Sequence, residues 1–207
     1  MEQTKKVLKK TVLIVVGAFV VLVVLRAIHF YNLDRINAQV EIIHNTQLKL
    51  ADVMGDNLPP DPGVQADKTV EGVDANFNGI RDDVELAIFR EYPDSAKTRG
   101  SLLQYALTLQ MHFTQPMLHK INVTEVVVED SRASNCVADT LVPRKTSETP
   151  RTMLEVKKIG VFVDFVKNLQ LNTEERKEKY EDFYGYLGSY GDSKNEVCDI
   201  DYSTLPN

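Results

Sequence analysis

The feature that most restricts the fold is an uninterrupted apolar run, Thr11–Leu25, close to the N-terminus. Fifteen residues of α-helix span about 22 Å, which is short for a hydrocarbon core of about 30 Å. Lys10 and Arg26 can extend their charged ends to the interfaces, and Phe30 with Tyr31 supplies an interfacial aromatic pair. The pattern therefore predicts a membrane-spanning helix over residues 11–31.

The residues that flank this run indicate its orientation. Residues 1–10 form a basic tail with four lysines, and basic segments remain on the cytoplasmic side of a membrane. We therefore expect a single-pass protein of a bacterial inner (cytoplasmic) membrane, with everything after Tyr31 periplasmic or extracellular. A cleaved signal peptide has an apolar run of the same length, but Leu25-Arg26-Ala27 is a poor cleavage site. The sequence favours an uncleaved signal anchor over the signal peptide.

A second constraining stretch runs from Asp74 to Glu85. A twelve-residue calcium loop offers oxygen ligands at positions 1, 3, 5, 7, 9 and 12, with glycine at position 6 for a sharp turn. Counted from Asp74, every position of this pattern is filled, and Gly79 occupies position 6. The predicted calcium ligands are Asp74, Asn76, Asn78, the backbone carbonyl of Ile80, Asp82 and Glu85.

The surroundings of this loop differ from those of a standard EF-hand. Leu58–Gly63 is rich in proline, so no entering helix precedes the loop, and Arg81 stands at position 8, where paired EF-hands carry an apolar residue. The glycine followed by Ile80, with an acid at Asp82, resembles the loops of thrombospondin type 3 repeats. That resemblance covers about a dozen residues in a single copy. It implies a calcium loop followed by a helix, and it carries no enzymatic activity.

A turn without an ion is the alternative interpretation of the same residues. Asn/Gly-rich turns are common, and Asp82 with Asp83 would then simply favour the dipole of the helix that follows. If calcium binds, a ligand set with two uncharged asparagines predicts the weaker, extracellular range of affinity, with a Kd of about 10⁻⁴–10⁻³ M. We expect such an ion to be structural rather than a signal.

The two cysteines, Cys136 and Cys198, lack the short spacing of a metal site. Behind a membrane anchor, in an oxidising compartment, such a pair is expected to form a disulfide. The bond would close a loop of about 60 residues and contribute roughly 4 kcal/mol in the chain-entropy model. Two buried free thiols are the alternative.

The rest of the chain predicts a mainly α-helical protein. We expect a stalk helix over residues 32–55, a Pro/Gly linker over 56–73, and a small helical bundle over 74–207 that opens with the calcium loop. Apolar residues recur along the stalk at alternating steps of three and four, with Gln47 filling the one gap: Leu33, Ile36, Val40, Ile43, Leu50 and Met54. This spacing is typical of a seam that pairs with a copy of itself or with another envelope protein. A helix that lies on its own domain gives the same pattern.

Caps and prolines predict the helices of the bundle. One helix should cover Asp82–Tyr92, and the next should begin at Asp94 or Ser95 and reach about Phe113. Asn122–Glu125 has the composition of a capping box, and Thr149-Pro150 that of a helix start. Val161–Val166 is dense enough in β-forming residues to be either helix or strand.

Charge and motifs narrow the function. After residue 30 the chain carries 19 basic and 29 acidic residues, and a formal charge near −10 argues against nucleic acid and against flat docking on anionic lipid. The sequence contains no H-E-x-x-H, G-x-S-x-G or phosphate-binding loop motif. It predicts a membrane-anchored, extracytoplasmic calcium-binding protein that acts as a protein-interaction or structural module of the cell envelope. A small envelope hydrolase with a structural calcium ion is the alternative.

Overall fold

The computed structural model describes residues 2–146, 149–189, 191 and 193–206. These residues form seven α-helices and no strand, together with short 3-10 turns at Gly63–Gln65 and Tyr202–Thr204. The helices are α1 (Glu2–Asn45), α2 (Leu50–Met54), α3 (Asp82–Glu91), α4 (Ala96–Thr114), α5 (Lys120–Leu141), α6 (Met153–Gln170) and α7 (Glu174–Gly185). The prediction of a mainly helical chain is confirmed.

The chain divides into two compact units, Met1–Gln39 and Val40–Asn207. The first unit consists of α1 up to that boundary. Every Val, Leu, Ile and Phe side chain from Val12 to Leu25 is more than half exposed. This helix has the length and the apolar composition needed to cross a membrane, properties that a signal sequence near an N-terminus shares.

The second unit is organised around α4. Every residue from Arg99 to Phe113 is buried, and α2, α3, α5, α6 and α7 all pack against this helix. A helix that is buried on all sides must satisfy its polar side chains internally. Gln104 shows how: its Oε1 atom accepts hydrogen bonds from the Asp199 amide and the Tyr202 hydroxyl, both at 3.0 Å.

The predicted stalk helix is interrupted. α1 ends at Asn45, and residues 46–49 separate it from α2, where the Leu48 amide donates to Asp199 Oδ2 at 2.8 Å. Of the expected seam, Ile43 is completely buried within the second unit, whereas Leu50 and Met54 are exposed. Gly55 ends α2 in the left-handed conformation, with φ 80°, as its sequence position predicts.

The predicted linker is packed rather than free. Arg176 of α7, which is fully buried, donates to the backbone carbonyls of Ala66, Thr69 and Val70 and to the Asp67 carboxylate. One guanidinium thus satisfies several carbonyl groups of a segment without regular structure. No local feature of residues 56–73 indicates this partner, because it lies about a hundred residues further along the chain.

Most of the expected helix boundaries agree with the structure, with two differences. Ser95 caps α4 through its side chain, as expected. α5 begins earlier than predicted, because His119 is the N-cap and Asn122 occupies the third helical position. α6 begins at Met153 behind a Thr152 cap, later than Thr149-Pro150 suggests. Val161–Val166 is helical.

The disulfide is confirmed. Cys136 Sγ and Cys198 Sγ are 2.04 Å apart, and they join the C-terminal tail to α5. Arg132 strengthens the same junction, because its Nη1 atom lies 2.8 Å from the Glu196 carbonyl and 2.7 Å from Asp199 Oδ1. The tail is therefore fixed by a covalent bond and by a buried ion pair.

Candidate metal centre

The loop from Asp74 to Glu85 turns on itself at Gly79. This residue has φ 85°, and a Cβ atom there would lie 2.7 Å from Leu107 Cδ1 of α4. Glycine is therefore required both by the backbone and by the close approach to the core. Phe77 has φ 57°, and it is the one residue other than glycine in the described structure with positive φ. Its side chain is 88% exposed.

Hydrogen bonds between side chains and backbone amides fix the shape of the loop. The Asp74 carboxylate accepts from the amides of Asn78 and Gly79 at 3.2 and 2.9 Å. Asp82 accepts from the Ala75 amide through both carboxylate oxygens, at 3.0 and 3.2 Å. Aspartate and asparagine form such side-chain turns readily, so the local sequence accounts for this geometry.

Glu85, the last residue of the loop, joins its two asparagines. Glu85 Oε2 accepts from Asn76 Nδ2 at 3.1 Å and from Asn78 Nδ2 at 3.0 Å. The glutamate is 1% exposed, so its carboxylate is held away from water at the centre of the loop. Asn76 Oδ1 is also buried, and it has no hydrogen-bond partner in the described structure.

Burial and neighbouring acids disfavour the ionised form of two carboxyl groups in the loop, those of Glu85 and Asp82. Burial raises the pKa of Glu85 to about 7, and the charges of Asp52 and Asp82 act in the same direction against the two amide hydrogen bonds. Burial also raises the pKa of Asp82, with Asp74 and Asp83 as further causes. A bound cation would remove this repulsion.

The nearest arginine in sequence is engaged elsewhere. Arg81 is fully buried, and its Nε atom lies 2.6 Å from Asp83 Oδ1. Its Nη2 and Nη1 atoms donate to the carbonyls of Leu169 and Gln170, at 2.6 and 3.2 Å, at the C-terminal end of α6. Within the described residues no ion pair involves Asp74, Asp82 or Glu85. Their charge is left without a basic partner.

In the described structure Glu85 contacts Asn76 and Asn78, Asp74 and Asp82 bind backbone amides of the loop, and the Ile80 side chain lies in the core. Where side chains are described, no group of three or more His, Cys, Asp or Glu residues is arranged so that it could hold a metal ion. The loop would depend on amide and carbonyl oxygens as well as carboxylates, a mixture that calcium accepts. Asp52 was not among the predicted residues, because nothing in its local sequence links α2 to the loop.

A second buried polar cluster lies between α4, α5 and α7. His112 Nε2 is 3.9 Å from Asp130 Oδ2, and the Tyr184 hydroxyl donates to the same oxygen at 3.1 Å. Burial lowers the pKa of His112 to about 4 and raises that of Asp130 to about 7. His112 Nε2 and Asp130 Oδ1 have no hydrogen-bond partner in the described structure. His119, seven residues on, caps α5 instead of joining this cluster.

A surface cleft of the second unit is separate from that cluster. It has a volume of about 530 Å³, lies beside the disulfide, and is lined by residues of α5 and of the C-terminal tail. Neither His112 nor Asp130 lines it.

Comparisons with models of known protein families, with curated proteins and with solved structures gave no match. The fold and the site therefore define a class only: a disulfide-linked helical bundle joined to a long apolar N-terminal helix, with one loop rich in oxygen ligands.

Proposed function

We propose that the chain is a membrane-anchored, extracytoplasmic protein whose loop Asp74–Glu85 binds one structural calcium ion. One observation carries this proposal: the buried Glu85 carboxylate is surrounded by further acids and by amide groups, and among the described residues no basic side chain pairs with it. A divalent cation with oxygen ligands is the partner that such a group requires.

The ligands would be the six predicted from the sequence. Asn76 and Asn78 now direct their amide nitrogens at Glu85, so each amide group must rotate to present its oxygen to the ion. The buried Asn76 Oδ1 atom, which lacks a hydrogen bond, would gain a partner in this way. Calcium would supply the positive charge that holds the two ends of the loop together.

The anchor and the disulfide support an extracytoplasmic location. Disulfides persist in oxidising compartments, and α1 is long and apolar enough to hold the chain at a membrane. A bundle of this kind acts most simply by binding another envelope protein or a second copy of itself. The hydrolase alternative is supported less well, because the cluster of His112 and Asp130 is buried and does not line the cleft beside the disulfide.

Thermal unfolding of the full chain in detergent, with calcium and then with chelator, tests the proposal. At about 10 to 100 times its Kd, calcium should add about 1.4–2.7 kcal/mol to the free energy of unfolding. The melting temperature should then rise by about 3–10 °C. Glu85→Gln should lose this shift, because it removes the charge with almost no change of shape.

Glu91→Gln is the matched control, since Glu91 is exposed at the end of α3 and the change is chemically the same. It should retain the full calcium shift. An equal shift in wild type and Glu85→Gln would assign any bound calcium to another site, and no shift in wild type would leave the loop as an ordinary turn.

A further inference from the structure

The N-terminal half of α6 exposes an unusual number of apolar side chains. Met153, Leu154, Val156 and Val161 are 72%, 64%, 50% and 67% exposed, and within the whole helix only Val166 and Gln170 are buried. Lys157 and Lys158 lie among them and are exposed as well. We call these six residues the α6 patch. Such a concentration of exposed apolar groups in a folded domain marks a surface that binds something.

The charge around the α6 patch is opposite to that of the domain. From Pro143 to Gly160 the sequence has five basic and two acidic residues, whereas the chain after residue 30 has 19 basic and 29 acidic. The net acidity of the domain, which opposes docking on anionic lipid, is therefore reversed in this segment. Apolar side chains interleaved with lysines are typical of a helix that lies at a membrane surface.

Hydrogen bonds fix the first turn of α6, where the α6 patch begins. Thr152 and Glu155 form a reciprocal capping box at the first turn of α6. Arg151, the preceding residue, donates to the Val142 carbonyl and lies 2.6 Å from Asp139 Oδ1. The apolar side chains are thus presented by a fixed helix end, and little ordering entropy is lost when they bind.

We propose that the α6 patch docks on the surface of a phospholipid bilayer that contains anionic lipids. The proposal rests on the membrane anchor proposed above, because a tether in the same chain keeps the domain at a high local concentration near the bilayer. The apolar side chains would enter the headgroup boundary, and the lysines would bind lipid phosphates.

The chain contains no tryptophan, so single tryptophans can report lipid contact without background. The full-length protein is reconstituted in vesicles of phosphatidylcholine and phosphatidylglycerol in equal parts, with and without brominated acyl chains, which quench tryptophan on contact. Leu154→Trp reports the α6 patch, Phe19→Trp reports the apolar run of α1, and Tyr186→Trp, an exposed position after α7, is the control. Quenching is expected at positions 154 and 19 and not at 186.

Charge reversal provides the second test. In the Leu154→Trp protein, Lys157→Glu with Lys158→Glu should lower the ratio of docked to undocked domain at least roughly thirtyfold, since each lysine contributes about fivefold. The matched control is Lys68→Glu with Lys177→Glu, two exposed lysines outside the patch, which should leave the quenching at position 154 unchanged.

The outcomes distinguish lipid docking by the α6 patch from membrane anchoring by α1. Quenching at position 19 without quenching at 154 would overturn lipid docking and leave the anchor intact. Quenching at 154 without quenching at 19 would support docking and contradict the anchor, and quenching at neither would contradict both. A blue-shifted but unquenched tryptophan at 154 would show that the patch is covered by protein, which overturns the assignment to lipid.

Discussion

Glu85 and Asp130 are both buried carboxylates whose pKa burial raises to about 7, yet their surroundings differ. Around Glu85 are further acids and two asparagine amides, nearly all supplied by one twelve-residue loop. Around Asp130 are Tyr184, His112 and the charge of Lys167, which three other helices supply. We propose a metal cation as the partner of Glu85, whereas the Asp130 carboxyl holds a proton up to about pH 7. Burial acts on both carboxylates alike, and the groups around them are what distinguish the two sites.

The prediction with the largest expected effect tests whether the loop Asp74–Glu85 needs its contacts with α6 in order to fold. Arg81→Met should lower the free energy of unfolding by about 3–5 kcal/mol, because it leaves Asp83 and two carbonyls of α6 without the guanidinium that they bind. Urea unfolding with chelator present measures this. Arg90→Met, an exposed arginine of the same helix region, should change it little. A small effect at Arg81 would mean that the loop folds without α6.

The second prediction tests whether the Asp130 carboxyl is protonated in the folded protein. Its pKa is about 7 in the folded protein and near 4 in the unfolded chain, so the folded state binds more protons between these values. The stability contributed by Asp130 is therefore present at low pH and is lost as the pH rises from about 4 to about 7, by up to about 4 kcal/mol. Asp130→Asn removes this dependence.

The contribution of His112 to stability changes with pH in the opposite direction. Burial lowers the pKa of His112 to about 4, so the stability that it contributes is lost as the pH falls. In wild type the pH dependences of the two contributions oppose each other, whereas in Asp130→Asn only that of His112 remains. The stability of the variant relative to wild type should therefore rise from pH 4 to about pH 7 and then level off, in urea unfolding with chelator. Asp182→Asn, an exposed acid of α7, serves as the control. A constant difference between wild type and Asp130→Asn would show that Asp130 titrates normally.

The contrast between a site supplied by one local loop and a site supplied by several helices also explains which features the sequence could predict. The turn at Gly79, the Ser95 cap, the disulfide and the mainly helical class follow from local patterns or from a single pair of cysteines. The packed linker, the break after Asn45 and the cluster at Asp130 depend on partners that are distant in sequence, such as Arg176 and Asp199. Local propensity cannot identify those partners, because tertiary packing selects them.

The smallest expected effect concerns the strain inside the loop. Phe77 holds a left-handed backbone with φ 57°, which is unfavourable for a bulky residue, and its exposed side chain gains little packing in return. Asparagine tolerates that conformation, so Phe77→Asn should raise the free energy of unfolding by about 0.5–1 kcal/mol. Val64→Asn, at a position that is 84% exposed and has no positive φ, should leave it unchanged. If Phe77→Asn instead destabilises the protein, the aromatic ring must make a contact that compensates for the backbone, and the loop is then less self-contained than its hydrogen bonds indicate.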